Sequence, residues 1–211
     1  MRDIPHFLSG FKRFQKTYFC PENAFYDELV HGQQPKVLTI ACCDSRVDPA
    51  ILMNCQPGDM FVVRNVANIV PPYEAGAGLR GVCAALEYGV AYLGVEHIIV
   101  LGHSGCGGIK ALMAPDHEKI GEFISPWVGI VEGALQRVED DFFDEPASVK
   151  QRACEMASIL ISLENLLTFP WIKTKIEDQT LHLHGWYFDM GKGELLGYQP
   201  GTRNFELIVE R

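Results

Sequence analysis

Lys36-Val37-Leu38-Thr39-Ile40-Ala41-Cys42-Cys43-Asp44-Ser45-Arg46 passes from a continuous apolar run into a cluster of thiol, carboxylate and guanidinium groups. A run this short, entered from Pro35, reads as a buried strand over Lys36 to Ala41. Two more follow, Met60-Phe61-Val62-Val63 and His97-Ile98-Ile99-Val100-Leu101-Gly102. Between them Leu79 to Leu93, rich in Ala, Leu and Tyr and closed by Gly94, has the length of a crossover helix. Strand, helix, strand in that order implies a parallel sheet, and open α/β sheets bind their ligands beyond the carboxyl ends of their strands. The Cys42 cluster stands at such an end.

The rest of the chain fills out an α/β domain. Ile120 to Val138 and Glu145 to Leu167 read as helices, separated by the acidic run Glu139-Asp140-Asp141 and stopped before Pro170. Thr180 to Phe188, a turn at Gly191-Lys192-Gly193, and Glu194 to Tyr198 predict a late strand and hairpin, so the sheet is mixed at one edge. Phe7, Phe11, Phe14, Tyr18, Phe25, Tyr26 and Leu29 recur at roughly helical spacing and predict an amphipathic N-terminal arm over 1–32. The expectation is one domain over 1–211, a mainly parallel sheet flanked by helices, with an antiparallel edge strand and that helical arm.

Composition narrows function. A chain of 211 residues, 47% hydrophobic, buries one substantial core. A net charge of -9 disfavours nucleic acid, whose phosphates are bound chiefly by Lys and Arg. No apolar stretch is long enough to span a bilayer, and Met1-Arg2-Asp3-Ile4-Pro5-His6 lacks the basic segment and apolar run of a signal peptide, so a cytoplasmic protein without membrane contact is expected. Seven cysteines, an odd number, suit metal binding or burial better than a disulfide framework.

Two clusters carry chemistry. Alternation along an extended chain would put Cys42, Asp44 and Arg46 on one face and leave Cys43 to packing. Arg46 can clamp Asp44 with two parallel hydrogen bonds. His103-Ser104-Gly105-Cys106-Gly107-Gly108 follows the third strand, so both clusters reach the same sheet edge. Together they offer Cys42, His103 and Cys106, a Cys2His set matched to zinc. Three protein ligands leave one position open. Asp44 either closes it or stays on Arg46 and accepts a hydrogen bond from a zinc-bound water, whose pKa the metal lowers from 15.7 to about 7. His182 and His184 share a strand face but read as structural. Cys20, Cys55, Cys83 and Cys154 read as buried small residues.

Cys42-x-Asp44-Ser45-Arg46 with His103-x-x-Cys106-Gly107-Gly108 closely resembles the β-class carbonic anhydrases, of the plant-type branch. The likeness runs through Pro57 to Asn68, Glu87-Tyr88 and His184-Gly185-Trp186, and covers most of the chain from about Gln33. It implies a zinc enzyme, one ion per subunit, that hydrates carbon dioxide to bicarbonate, assembled as a homodimer or a higher assembly of dimers. It also implies that Asp44 and Arg46 are catalytic and that Gln33 hydrogen-bonds the substrate. Gly107 would offer backbone to it. Phe61, Val66 and Tyr88, which periodicity alone would leave as ordinary core, would line a small apolar pocket shared with the second subunit. A bicarbonate pocket of Trp, Arg and Tyr, found in some bacterial members, keeps here only Arg64, with Thr39 and Phe188 in the other places. The rival readings are hydrolysis of carbonyl sulfide or carbon disulfide at the same zinc, and a non-catalytic zinc-stabilised assembly protein with Asp44 as permanent fourth ligand.

Overall fold

The computed structural model describes residues 3–20, 25–76, 78 and 80–209. The chain divides into two compact units, 1–34 and 35–211. The first carries α1 (Ile4–Tyr18), opened by Pro5 in its first turn, and α2 (Phe25–Leu29). Aromatic rings join the two helices: Phe14 meets Tyr26 at 5.7 Å and Tyr18 meets Phe25 at 5.6 Å. The other stripe of α1, Ile4, Phe7, Leu8 and Phe11, is exposed.

The second unit is built on a six-stranded sheet. Its elements run β1 (Val37–Cys42), α3 (Pro49–Leu52), β2 (Met60–Asn65), α4 (Gly81–Glu87), β3 (His97–His103), α5 (Gly107–Leu112), α6 (Ile124–Gly129), α7 (Glu132–Asp141), α8 (Ala147–Leu166), α9 (Pro170–Glu177), β4 (His182–Asp189), β5 (Glu194–Gln199) and β6 (Asn204–Leu207). Spatial order is β2-β1-β3-β4-β5-β6. The first four are parallel and the last two pairings antiparallel. The expected mixed sheet with an antiparallel edge is therefore the observed one. Ile40, Ile98, Val100 and Tyr187 from the strands meet Leu86, Ile159, Leu166 and Ile172 from the helices, and Phe169 from the α8–α9 connection, in the main core.

Four expectations about elements are corrected. The crossover helix is α4 followed by a wider turn over Tyr88–Tyr92, ended by Gly94 at φ 67°; its expected start, Leu79, lies outside the described residues. The widened turn seats Gly89 where a Cβ would stand 2.5 Å from Leu38, so glycine lets the helix lie close on β1. The single helix expected over Ile120 to Val138 is two, α6 and α7. Glu139-Asp140-Asp141 breaks nothing; it forms the exposed last turn of α7. Pro170 stops α8 and also opens α9, because its missing N–H and fixed φ cost nothing at a first helical position. Among the described residues no helix is long and apolar enough to cross a membrane.

Candidate metal centre

β1 and β3 are adjacent and parallel, so Cys42 and His103, their last residues, arrive side by side at one sheet edge. Beyond His103 the chain turns at Gly105, φ 69°, and returns Cys106 to the edge as the cap of α5. Gly108 is required there. A Cβ on it would stand 2.8 Å from Val66 Cγ1 and 2.9 Å from Ala67 Cβ.

Cys42, His103 and Cys106 are all buried, and their ligand atoms lie within 4.8 Å of one another. The thiol sulfurs are 3.9 Å apart. Two sulfurs on one tetrahedral zinc at about 2.3 Å would stand roughly 3.8 Å apart, so the spacing fits. His103 Nδ1–H donates to Ser104 O at 3.0 Å, which fixes the tautomer and leaves Nε2 as the bare lone pair. That Nε2 is buried with no hydrogen-bond partner. A buried acceptor is seldom left so, and a cation between it and the sulfurs would satisfy it.

The two sulfurs share one proton: Cys106 hydrogen-bonds Cys42 and pulls its pKa well below that of an ordinary thiol, while Cys106 itself is pushed up by holding the proton beside that thiolate. Burial works to lower the His103 pKa, but Cys42, Ser104 O and Asp44 outweigh it and the net direction is upward.

Asp44 faces this cluster without joining it. Arg46 donates Nε–H to Oδ1 at 2.9 Å and Nη2–H to Oδ2 at 2.6 Å, and its backbone N–H also reaches Oδ1 at 3.0 Å. Arg46 Nη2 further donates to Gly105 O at 3.0 Å, tying the pair to the His103–Cys106 loop. The Arg46 hydrogen bonds hold the Asp44 carboxyl well below the usual carboxylate range. Oδ2 stands 4.0 Å from His103 Nε2. The two side chains meet through a turn rather than by strand alternation, since the chain leaves the strand after Cys42. For the same reason Cys43, expected to pack, is exposed. Of the four other cysteines expected to be buried only Cys154 is; Cys20, Cys55 and Cys83 are partly exposed.

The remaining residues fall in two places. Gly107 and Val66 lie at the edge that carries Cys42, His103 and Cys106, Val66 beside Gly108 and with its carbonyl accepting from Trp127 Nε1–H at 2.8 Å. Phe61 and Tyr88 pair with ring centroids 5.9 Å apart. Phe61 is in register with Leu38, four residues before Cys42, which is about 13 Å back along the sheet. Within one chain they do not reach the cluster. Gln33 is exposed and belongs to the first unit.

One supporting residue, Glu155, has no role in the sequence reading, and another, Arg64, has a different one. Glu155 on α8 is 3% exposed, and its carboxylate accepts from Cys106 N–H at 2.9 Å, Gln151 Nε2–H at 2.9 Å and Tyr187 Oη–H at 2.8 Å. A signal was present: with Ser158, Ile159, Ser162 and Leu166 it lies on the buried stripe of α8, where a lone carboxylate must have partners. Arg64, assigned by resemblance to a vestigial bicarbonate pocket, donates to Cys42 O, Asp44 O, Val47 O and Asp48 Oδ2 at 2.8–3.0 Å. It clamps the loop that carries Cys42 and Asp44.

A sequence-family profile described as carbonic anhydrase matches residues 37–195. Beta carbonic anhydrase 3 of Arabidopsis thaliana is 39% identical over 193 residues, 90% of this chain and 74% of that protein. The solved structure of the beta-carbonic anhydrase CcaA superposes with a TM-score of 0.91 at 33% identity, covering 99% of this chain and 93% of that one. A tetrameric beta-carbonic anhydrase of Sordaria macrospora gives 0.79 at 29% identity, over 91% and 95%.

Proposed function

The chain belongs to the β-class carbonic anhydrases, and on that premise we propose that it interconverts carbon dioxide and bicarbonate with one zinc ion per chain. Cys42, His103 and Cys106 hold the ion in this reading. The observation that carries it is the bare, buried His103 Nε2 set against two thiol sulfurs 3.9 Å apart, with Asp44 kept off them by Arg46.

Zinc, when bound, supplies the Lewis acidity that makes water a nucleophile near neutral pH. The protein's part is orientation. Asp44, ionised and therefore an acceptor only, takes a hydrogen bond from the attacking water and turns its lone pair toward the substrate. Arg46 keeps Asp44 in that state and position. Gly107 N–H binds a substrate oxygen, and Phe61, Val66 and Tyr88 form the apolar wall. A permanent Asp44 ligand, as in a purely structural site, is disfavoured by the bidentate hold of Arg46.

A second copy completes the pocket. The distance of Phe61 and Tyr88 from the cluster of their own chain supports their serving the neighbouring one, and the exposed apolar stripe of α1 supports an arm that packs on a second copy. The assembly in this reading is a homodimer or a higher assembly of dimers, and the Sordaria relative is tetrameric. Seven free cysteines, one of them the exposed Cys43, suit a reducing, cytoplasmic compartment.

Turnover of carbon dioxide and carbonyl sulfide, measured side by side, tests the substrate. Faster hydration of carbon dioxide supports the proposal; carbonyl sulfide hydrolysis with hydration far slower overturns it.

A further inference from the structure

The N-terminal edge of the same sheet gathers three histidines. β3 and β4 begin with His97 and His182, partners in parallel register, and His184 follows opposite Ile99. Alternation puts His182 and His184 on the face that carries His97. The His97 ring lies 5.4 Å from His182 and 5.3 Å from His184, and His97 Nδ1 stands 3.1 Å from His184 Nε2.

We propose that His97, His182 and His184 form a second metal site, for a divalent transition ion that favours imidazole, such as Ni2+, Cu2+ or Zn2+. Two nitrogens bound side by side at about 2.0–2.1 Å stand roughly 2.9–3.4 Å apart, depending on the angle at the metal. The His97–His184 spacing falls inside that range. His182, exposed at the first position of its strand, brings the third nitrogen by rotation of its own side chain. Among the described residues only Cys42, His103 and Cys106 already gather three ligand atoms within 4.8 Å; here two are gathered and one is a rotation away.

The surroundings favour neutral imidazole. Burial, then the nearby His97 and His182, lower the His184 pKa and keep its ring in the neutral form that metals bind. The site stands about 20 Å from His103, the length of β3, so its occupation leaves the catalytic ligands untouched.

Trp186, with its ring 6.1 Å from His184, supplies a reporter. Zinc-loaded protein titrated with Ni2+ is expected to take up one further equivalent per chain and to lose part of its tryptophan fluorescence. His184→Asn is expected to abolish that uptake and exposed His182→Ala to weaken it by at least about tenfold. Carbon dioxide hydration by both variants stays at the wild-type rate. A hydrogen-bonded histidine pair with no metal affinity gives no further equivalent, and that result overturns the proposal. So does uptake that is equal in wild type and both variants.

Discussion

Arg46 grips Asp44 through two parallel N–H donors, at 2.9 and 2.6 Å, while standing 3.0 Å from Gly105 O. The carboxylate is thereby fixed both in charge and in place beside His103. Asp44→Asn and Arg46→Ala are expected to keep a full complement of zinc, measured by elemental analysis, and to lose about a hundredfold or more in kcat/KM. Wild-type turnover in either variant would remove the pair from the mechanism. Because the folded-state pKa of Asp44 is depressed, its stabilising effect is complete above the ordinary carboxylate value and is lost as pH falls through the folded value. Acid unfolding of Arg46→Ala should accordingly begin at higher pH than in wild type.

Glu155 supports the ligand loop from behind, through Cys106 N–H and Tyr187 Oη–H. Replacement by Ala leaves these donors without an acceptor and is expected to cost roughly 2–4 kcal/mol in a urea melt and to weaken zinc retention. Glu155→Gln keeps an oxygen for Cys106 and should lose much less.

Gly108 has no room for a methyl group between Val66 and Ala67. Gly108→Ala should cost roughly 1–3 kcal/mol. Val66 must shift to make room, so carbon dioxide hydration should fall even where thermal unfolding shows the protein folded.

Arg64 spends its guanidinium on the 42–48 loop, and Thr39 is fully covered. Inhibition by bicarbonate should therefore be simple, with a Hill coefficient of about 1, where a regulatory site would give cooperativity. Arg64→Ala should destabilise the protein by roughly 2–4 kcal/mol without changing the form of that inhibition.

The edge that carries Cys42, His103 and Cys106 was legible because its residues sit where apolar strands stop. Val37–Cys42 and His97–His103 announce themselves by composition, and parallel pairing then brings Cys42 to His103. Other parts depended on contacts distant in sequence. The partnership of Glu155 with Cys106 spans 49 residues. β6 is a four-residue strand with little pattern of its own, held by pairing to β5. Cys43 was misplaced because alternation was extended one residue past the end of β1. Pro170 was read only as a stop, although the same ring geometry starts α9. Phe61 and Tyr88 illustrate a different limit, since the pocket proposed for them would be shared between copies and has no signature in the register of one chain.

The most direct test is carbon dioxide hydration against pH on protein of known zinc content, before and after treatment with a chelator and after zinc is restored. The expected result is turnover proportional to zinc content, rising as pH passes through neutrality, lost with the metal and recovered with it. Hydration undiminished in metal-free protein, or none at any pH in protein carrying one zinc per chain, would contradict it.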